Sequence, residues 1–248
     1  MSAHNRIFGL HAARSALENT PDRVNSAWID VQRSDSKLTE LRRLIGSLGV
    51  RTHSANRKQL DQLAEGQNHQ GIVLEVDAPK ELDEDDLWSA IDALAEPAFY
   101  LVLDHVQDPH NLGACLRSAD GAGVHGVILT KDQSVGLTPA VAKVASGAAD
   151  TVPVYRVTNL ARALEGMKSR NIWVVGAAGE ADKTVYETDL NLPLAVCMGA
   201  EGKGLRRLTR ETCDFLVKLP MKGSVDSLNL SVATGIVLYE ALRQRGCP

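Results

Sequence analysis

The sequence holds no run that approaches the ~20 consecutive apolar residues of a membrane span. Its opening residues, Met1-Ser-Ala-His-Asn-Arg-Ile7, lack the apolar core of a secretory signal. Cysteine is scarce: Cys115, Cys197, Cys213 and Cys247, with no CxxC pair among them. Neither a disulfide framework nor a zinc site is therefore expected, no metal ligands are assigned, and the chain is expected in a reducing cytoplasm. Also missing are the GxGxxG dinucleotide fingerprint and the GxxxxGK[ST] phosphate loop. No histidine or carboxylate stands at a hydrolase spacing from Ser227, so a serine nucleophile is not expected. There is no internal repeat and no low-complexity tract.

What is present is ordinary in bulk. The 248 residues, 44% hydrophobic and 23% charged, suit a globular chain of one large or two smaller domains. A net charge of −4 argues at first sight against a nucleic-acid partner. Its distribution argues otherwise. Residues 1–77 hold 10 Lys/Arg and 9 Asp/Glu, residues 97–248 hold 16 and 15, and residues 78–96 hold 1 and 7. The acidic excess thus belongs to one short segment, leaving room for a basic patch on either larger part.

Residues 1–77 read as a small α/β unit. A short strand or turn and an Ala-rich helix lie between Ile7 and Leu17, a strand over Ala27–Val31, and a helix over Lys37–Leu48 stopped by Gly49. A further short helix carries Leu60 and Leu63, and Ile72–Val76 is strand-like. The polar features here are Arg33, Arg42, Arg43, Arg51, Arg57, Lys58 and His69-Gln70-Gly71, none forming a catalytic set. Residues 78–96 look like an acidic junction, with Leu87, Ile91 and Leu94 marking one amphipathic helix.

From Pro97 the pattern alternates strand and helix. Strands are predicted at Phe99–Leu103, Gly126–Leu129, Val152–Tyr155, Ile172–Val175, Leu194–Met198 and Phe215–Leu219. Helices are predicted at Pro139–Ala149, Asn159–Lys168, Leu205–Cys213 and Ser231–Arg245. Apolar strands between helices imply an α/β fold with a mostly parallel sheet covered on both faces. The last helix is apolar enough to require burial in a core or an interface.

Three stretches carry chemistry. The strand at Phe99 runs through Asp108-Pro-His-Asn111 into a helix whose apolar face holds Leu112, Leu116 and Ala119. Asn111 suits a helix N-cap, and Arg117 lies roughly opposite the apolar face, toward solvent, a ligand or another chain. The strand at Leu194 enters Gly199-Ala-Glu-Gly-Lys-Gly-Leu205, whose glycines would let backbone approach a ligand. Glu201 stands inside that turn, and Lys203, Arg206, Arg207 and Arg210 form the best phosphate-contact candidate. In the third stretch Ser227, Asn229 and Ser231 alternate with leucines, so an extended backbone would turn all three one way, and Ser231 suits the N-cap of the closing helix.

Taken together and in this order, Asp108-Pro-His-Asn-Leu-Gly113 with Arg117, Met198-Gly-Ala-Glu-Gly-Lys-Gly204 and Ser227-Leu-Asn-Leu-Ser-Val-Ala-Thr-Gly235 resemble the SpoU/TrmH family of RNA ribose 2′-O-methyltransferases. The likeness extends through Asn68-His-Gln-Gly71, Pro153 to Arg162 and Gly176 to Asp182. It looks closest to the bacterial members that methylate a guanosine of 23S ribosomal RNA. The family pattern is departed from at Lys203, where an acidic residue is frequent, and at Asp226, where serine is frequent. The resemblance implies a C-terminal domain with a deep trefoil knot, a small N-terminal domain of L30-like RNA-binding type, and a homodimer with active sites at the subunit interface. It implies S-adenosylmethionine bound near Gly199, Leu219, Met221 and Leu228. Catalytic duty would fall on Arg117, Asn111, Glu201, Ser227 and Asn229. An arginine is a poor base, so Arg117 is expected to clamp phosphate and orient the hydroxyl. Three alternatives stay open: methylation of another ribosomal or transfer RNA ribose, a non-catalytic RNA-binding assembly protein, and a nicotinamide-dependent oxidoreductase, which would need the missing fingerprint.

Overall fold

The computed structural model describes residues 5–77 and 80–246. Cys247, the residues before Asn5 and the junction pair Ala78 and Pro79 lie outside them. The chain divides into two compact units, residues 1–79 and 80–248.

The first unit runs β1 (Asn5–Phe8), α1 (Leu10–Asn19), β2 (Val24–Asp30), α2 (Ser36–Ser47), β3 (Arg51–Ala55), α3 (Arg57–Leu63) and β4 (Ile72–Val76). Its sheet has the order β1-β4-β2-β3, with β4 antiparallel to both neighbours and β3 parallel to β2. Leu17, Leu38, Leu41 and Ile45 of the helices pack on Ile29, Ile72 and Leu74. β3 carries no sequence signal. It is an edge strand of Arg-Thr-His-Ser-Ala in which only Ala55 is buried.

The second unit begins with α4 (Glu84–Asp92), then β5 (Phe99–Asp104), α5 (Pro109–Gly121), β6 (Gly126–Thr130), α6 (Pro139–Ala145), α7 (Ala148–Thr151), β7 (Val154–Val157) and α8 (Leu160–Lys168). It continues with β8 (Trp173–Ala177), β9 (Lys183–Thr184), β10 (Leu194–Gly199), α9 (Arg207–Thr212), β11 (Phe215–Lys218) and α10 (Leu230–Gln244). All pairings in its sheet are parallel, in the order β7-β6-β5-β10-β8-β11-β9. Successive residues of β5 feed opposite faces. Leu101 and Leu103 meet Leu112 and Leu116 of α5 and Val237 and Leu238 of α10. Tyr100 and Val102 meet Leu87 of α4 and Leu164 and Met167 of α8. Burial on both faces is what the unbroken apolar runs require.

Two predicted helices change on inspection. The run expected over Pro139–Ala149 breaks in two, because Ser146 and Gly147 take left-handed backbone at φ 53° and 98°. α10 buries Leu230, Val237, Leu238 and Ala241, yet Val232 and Tyr239 are about half exposed, so its apolar surface is only half covered within the chain.

The acidic segment is tied to the second unit by its charges and backbone. Leu82 exchanges backbone hydrogen bonds with Val154 and Arg156. Glu81 accepts from the Leu137 N–H at 2.8 Å and pairs with Arg156, while Glu84 pairs with Arg162, Asp92 with Arg170 and Glu96 with His125. Four of its carboxylates thus meet cationic or titratable partners elsewhere in the second unit.

Candidate functional site

Proline at the first helical position fixes where α5 starts, and Asp108 rather than Asn111 is its N-cap. The Asp108 carboxylate accepts from the His110 N–H at 2.9 Å and from the Asn111 amide at 3.0 Å. Those bonds, the backbone one first, hold its pKa below the usual carboxylate range. Relieved of capping, Asn111 is buried and works as a connector. Its Nδ2 donates to Asp108 and to Glu201, and its Oδ1 accepts from Asn229 Nδ2 at 2.9 Å. With carboxylates on one side and an amide donor on the other, the orientation of the Asn111 amide is determined.

Glu201 arrives from the turn after β10. That turn closes on itself: Ala200 and Gly204 form a bridge, with the Gly204 N–H donating to the Ala200 carbonyl at 2.9 Å. Gly199 is required by this closure. A Cβ there would lie 2.0 Å from the Gly204 carbonyl carbon, so the space it must leave free is filled by the chain's own backbone. The closure of the turn by itself therefore requires glycine at this position.

Asn229 comes from the start of α10 and is its N-cap, displacing Ser231 from that role. Its Oδ1 accepts from the N–H groups of Ser231 at 2.9 Å and Val232 at 3.4 Å. Ser231 is already helical, so the three alternating polar groups do not share one extended face. Ser227 is exposed and does not join the cluster. Between β11 and α10 the backbone of residues 220–228 makes no hydrogen bond to the rest of the described chain. Within and beside that stretch Leu219 and Met221 are half-buried and Leu228 is exposed.

Arg117 stands apart. It is exposed on α5 and lines a surface cavity of about 580 Å³ with Ala114, Ser118, Asp120, Val144 and Tyr239, not with Asn111, Glu201 or Asn229. Among the described residues it makes no hydrogen bond or ion pair. The basic run divides. Arg207 pairs with Glu211 at 3.0 Å and Arg210 with Glu180 at 2.9 Å, whereas Lys203 is exposed and, among the described residues, the Arg206 guanidinium meets only the neutral Gln133 amide.

Sequence reasoning missed Asp104, His105 and Gln133. Asp104 ends β5, is buried, and accepts from the Arg206 backbone N–H at 2.8 Å and from His105 Nδ1. A buried carboxylate closing an apolar strand was a visible signal; the backbone conformations of His105 and Gln133 were not. Cys115 and Cys197 are buried, and burial pushes the Cys115 thiol up to about 12, so it is inert rather than nucleophilic. No group of three or more His, Cys, Asp or Glu side chains able to hold a metal is present among the described residues, and no described helix is long and apolar enough to cross a membrane.

Set beside known proteins, residues 98–239 match the SpoU rRNA Methylase family. Residues 6–82 match the RNA 2′-O ribose methyltransferase substrate-binding family. The chain is 54% identical over 245 residues to the 23S rRNA (guanosine-2′-O-)-methyltransferase RlmB of Shewanella oneidensis, covering 99% of each chain. It is 52% identical over 239 residues to the protein of the same name from Escherichia coli K12, covering 96% of this chain and 98% of that one. Among solved structures it resembles the SpoU methyltransferase AviRb of Streptomyces viridochromogenes in complex with AdoMet. The TM-score is 0.76 at 25% identity, covering 97% of this chain and 90% of that one.

Proposed function

Because the chain belongs to the SpoU rRNA methylase family, we propose that the junction of Asn111, Glu201 and Asn229 is the centre of its methyl-transfer site. The reaction is transfer of a methyl group from S-adenosylmethionine to the ribose 2′-hydroxyl of a guanosine in 23S ribosomal RNA. One observation carries the placement: three stretches distant in sequence meet in a single hydrogen-bonded cluster.

The surroundings fit the cofactor. Residues 220–228 leave their backbone donors and acceptors unused by the chain, beside half-buried apolar side chains. Leu219, Met221 and Leu228, with backbone near Gly199, would hold it. When bound, it supplies a sulfonium methyl group, electrophilic without further activation. The protein's own residues then have to align the ribose oxygen and exclude water. Glu201 and the two asparagines, fixed by one another, would shape the ribose pocket, with Ser227 at its edge.

Arg117 supports a two-fold assembly. It lines the surface cavity and not this cluster, and the cluster of a second copy could receive it. Val232, Ile236 and Tyr239 line one stripe of α10 that the chain leaves partly uncovered, and Tyr239 shares the cavity with Arg117. We assign this stripe to a homodimer interface and Arg117 to the partner's site, where it would clamp phosphate and orient the hydroxyl. Residues 1–77 would bind the RNA substrate, residues 97–248 would carry catalysis, and the acidic segment 78–96 would connect them. The family's trefoil knot is consistent with β11, the last strand, lying between β8 and β9 rather than at the sheet edge. Work on ribosomal RNA is in keeping with a cytoplasmic location.

The test is transfer of radiolabelled methyl groups to ribosomal RNA from a strain lacking the gene, followed by mapping. One labelled guanosine ribose in 23S RNA is expected. Label on another RNA, or none, would refute the substrate assignment.

A further inference from the structure

At the C-terminal ends of β5, β6 and β10 the second unit opens a cleft of about 140 Å³, lined by His105, Gln107, Gln133, Glu201, Lys203 and Arg206. Parallel α/β sheets receive ligands at this end of their strands. The volume equals roughly four or five waters at ~30 Å³ each, room for one compact group rather than a whole nucleotide.

Two features mark the cleft as built for a ligand. His105 and Gln133 both hold left-handed backbone, at φ 66° and 59°, the first directly after β5 and the second three residues beyond β6. Such conformations cost free energy in residues other than glycine and cluster at ligand sites. The cleft is also rich in unused donors. Asp104 is engaged at both oxygens, by His105 Nδ1 and the Arg206 N–H, and Glu201 at one, by Asn111. The Gln133 carbonyl oxygen is occupied by the Arg206 guanidinium, leaving its NH₂ group, the remaining Arg206 N–H groups and the Lys203 ammonium to meet an oxyanion. The second Glu201 oxygen and the Gln107 carbonyl stand among them as acceptors. With its Nδ1 taken by Asp104, His105 has only Nε2 left for a ligand.

We propose that this cleft holds one phosphodiester group of the RNA strand, with its ribose at the mouth, adjacent to the methylated nucleotide. Lys203 and Arg206 hold the phosphodiester, and His105 Nε2 hydrogen-bonds the ribose 2′-hydroxyl. Adjacency follows from Glu201, which lines the cleft and also binds Asn111 of the reaction cluster. The inference rests on the methyltransferase reading. The other oxyanion available to such donors is the cofactor's carboxylate.

Full-length variants His105→Ala, Lys203→Ala with Arg206→Ala, and Gln133→Gly separate these sources. Each is measured for binding to unmethylated 23S ribosomal RNA and to DNA of the same sequence, for KM and kcat in methyl transfer, and for cofactor Kd by calorimetry. The expected result is an RNA KM raised about tenfold in each, the scale of a lost charge-assisted contact, with cofactor Kd within about twofold of wild type. The double variant should lower the slope of log affinity against log salt by about 1, the share of one phosphate. His105→Ala should also narrow the preference for RNA over DNA, a readout that a purely structural role would not move. Gln133→Gly relieves the left-handed backbone, so its melting temperature should match or exceed wild type while RNA binding weakens. Unchanged RNA KM and salt slope would overturn the proposal, as would a raised cofactor Kd with unchanged RNA affinity. If the wild-type protein methylated no RNA, the functional reading would fail, while the RNA-binding isotherms would still decide the cleft.

Discussion

Alanine at Gly199 is the sharpest probe of the turn that presents Glu201. The new Cβ would stand 2.0 Å from the Gly204 carbonyl carbon, 2.2 Å from the Leu205 nitrogen and 2.4 Å from the Gly204 oxygen. Carbon atoms settle at ~3.5 Å, so the turn must withdraw by about 1.5 Å, and backbone cannot rotate aside as a side chain can. Overpacking of this kind costs ~1–3 kcal/mol, which at ~2–4 °C per kcal/mol lowers the melting temperature by roughly 5 °C. The functional loss should be larger, because a ~1 Å misplacement at a reaction centre costs about 100-fold in rate. Gly202→Ala is the matched control. Gly202 has φ 73° and nothing within 4 Å of its Cβ position, so alanine there meets only the left-handed penalty of ~1 kcal/mol. Scanning calorimetry should show both variants folded and mildly destabilised, while radiolabelled methyl transfer falls about 100-fold in Gly199→Ala alone. Equal turnover in the two variants would refute the claim that the turn's position, rather than its stability, matters.

Other consequences are open to direct measurement. If Arg117 acts across a dimer, Arg117→Ala and Asn229→Ala are each nearly inactive, and equal mixing with subunit exchange restores about a quarter of wild-type activity, since about half the dimers are mixed and each holds one intact site; no recovery would place Arg117 in its own subunit's site. A fragment beginning at Lys80, which keeps the Glu81 and Leu82 bonds, should bind S-adenosylmethionine with wild-type affinity in calorimetry and lose most RNA affinity; undiminished RNA binding would overturn the role given to residues 1–77. The Arg243 guanidinium, and after it the Gln244 amide, hold the Glu240 carboxyl down to about 2. A depressed carboxylate pKa stabilises the fold above the unfolded value of ~4.3, and that contribution is lost as pH falls from about 5 toward 2. The melting-temperature gap between wild type and Glu240→Gln should therefore be present at pH 7 and close across that window, and a gap independent of pH would contradict the assignment.

The parallel sheet was legible because strands buried on both faces must be apolar throughout, as β5, β6 and β10 are. β3 was not, because an edge strand with one buried residue needs no apolar pattern. Helix starts were misplaced by preferring the asparagine or serine nearest the helix. At α5, proline after Asp108 decided the cap; at α10, Asn229 took the cap from Ser231. The reaction cluster was legible as three stretches, but only tertiary structure joins Asn111 to Glu201 and Asn229. The cleft behind it was hidden, because no motif encodes the left-handed backbone of His105 and Gln133.

The two ends of the Asn229 amide have a consequence for how freely this sequence can drift. Its oxygen starts α10 and its nitrogen holds Asn111. Aspartate would keep the helix start but set an oxygen against the Asn111 oxygen. Serine would also cap, without the reach to Asn111 or an amide to give it. Alanine would lose both, at ~1 kcal/mol for the cap alone. Aspartate and serine keep the cap but lose the link, so of these residues only asparagine serves both duties. A lineage that relaxed its demand on the cluster could drift to aspartate or serine and keep its helix, whereas one that re-capped the helix would still be held to the amide by Asn111.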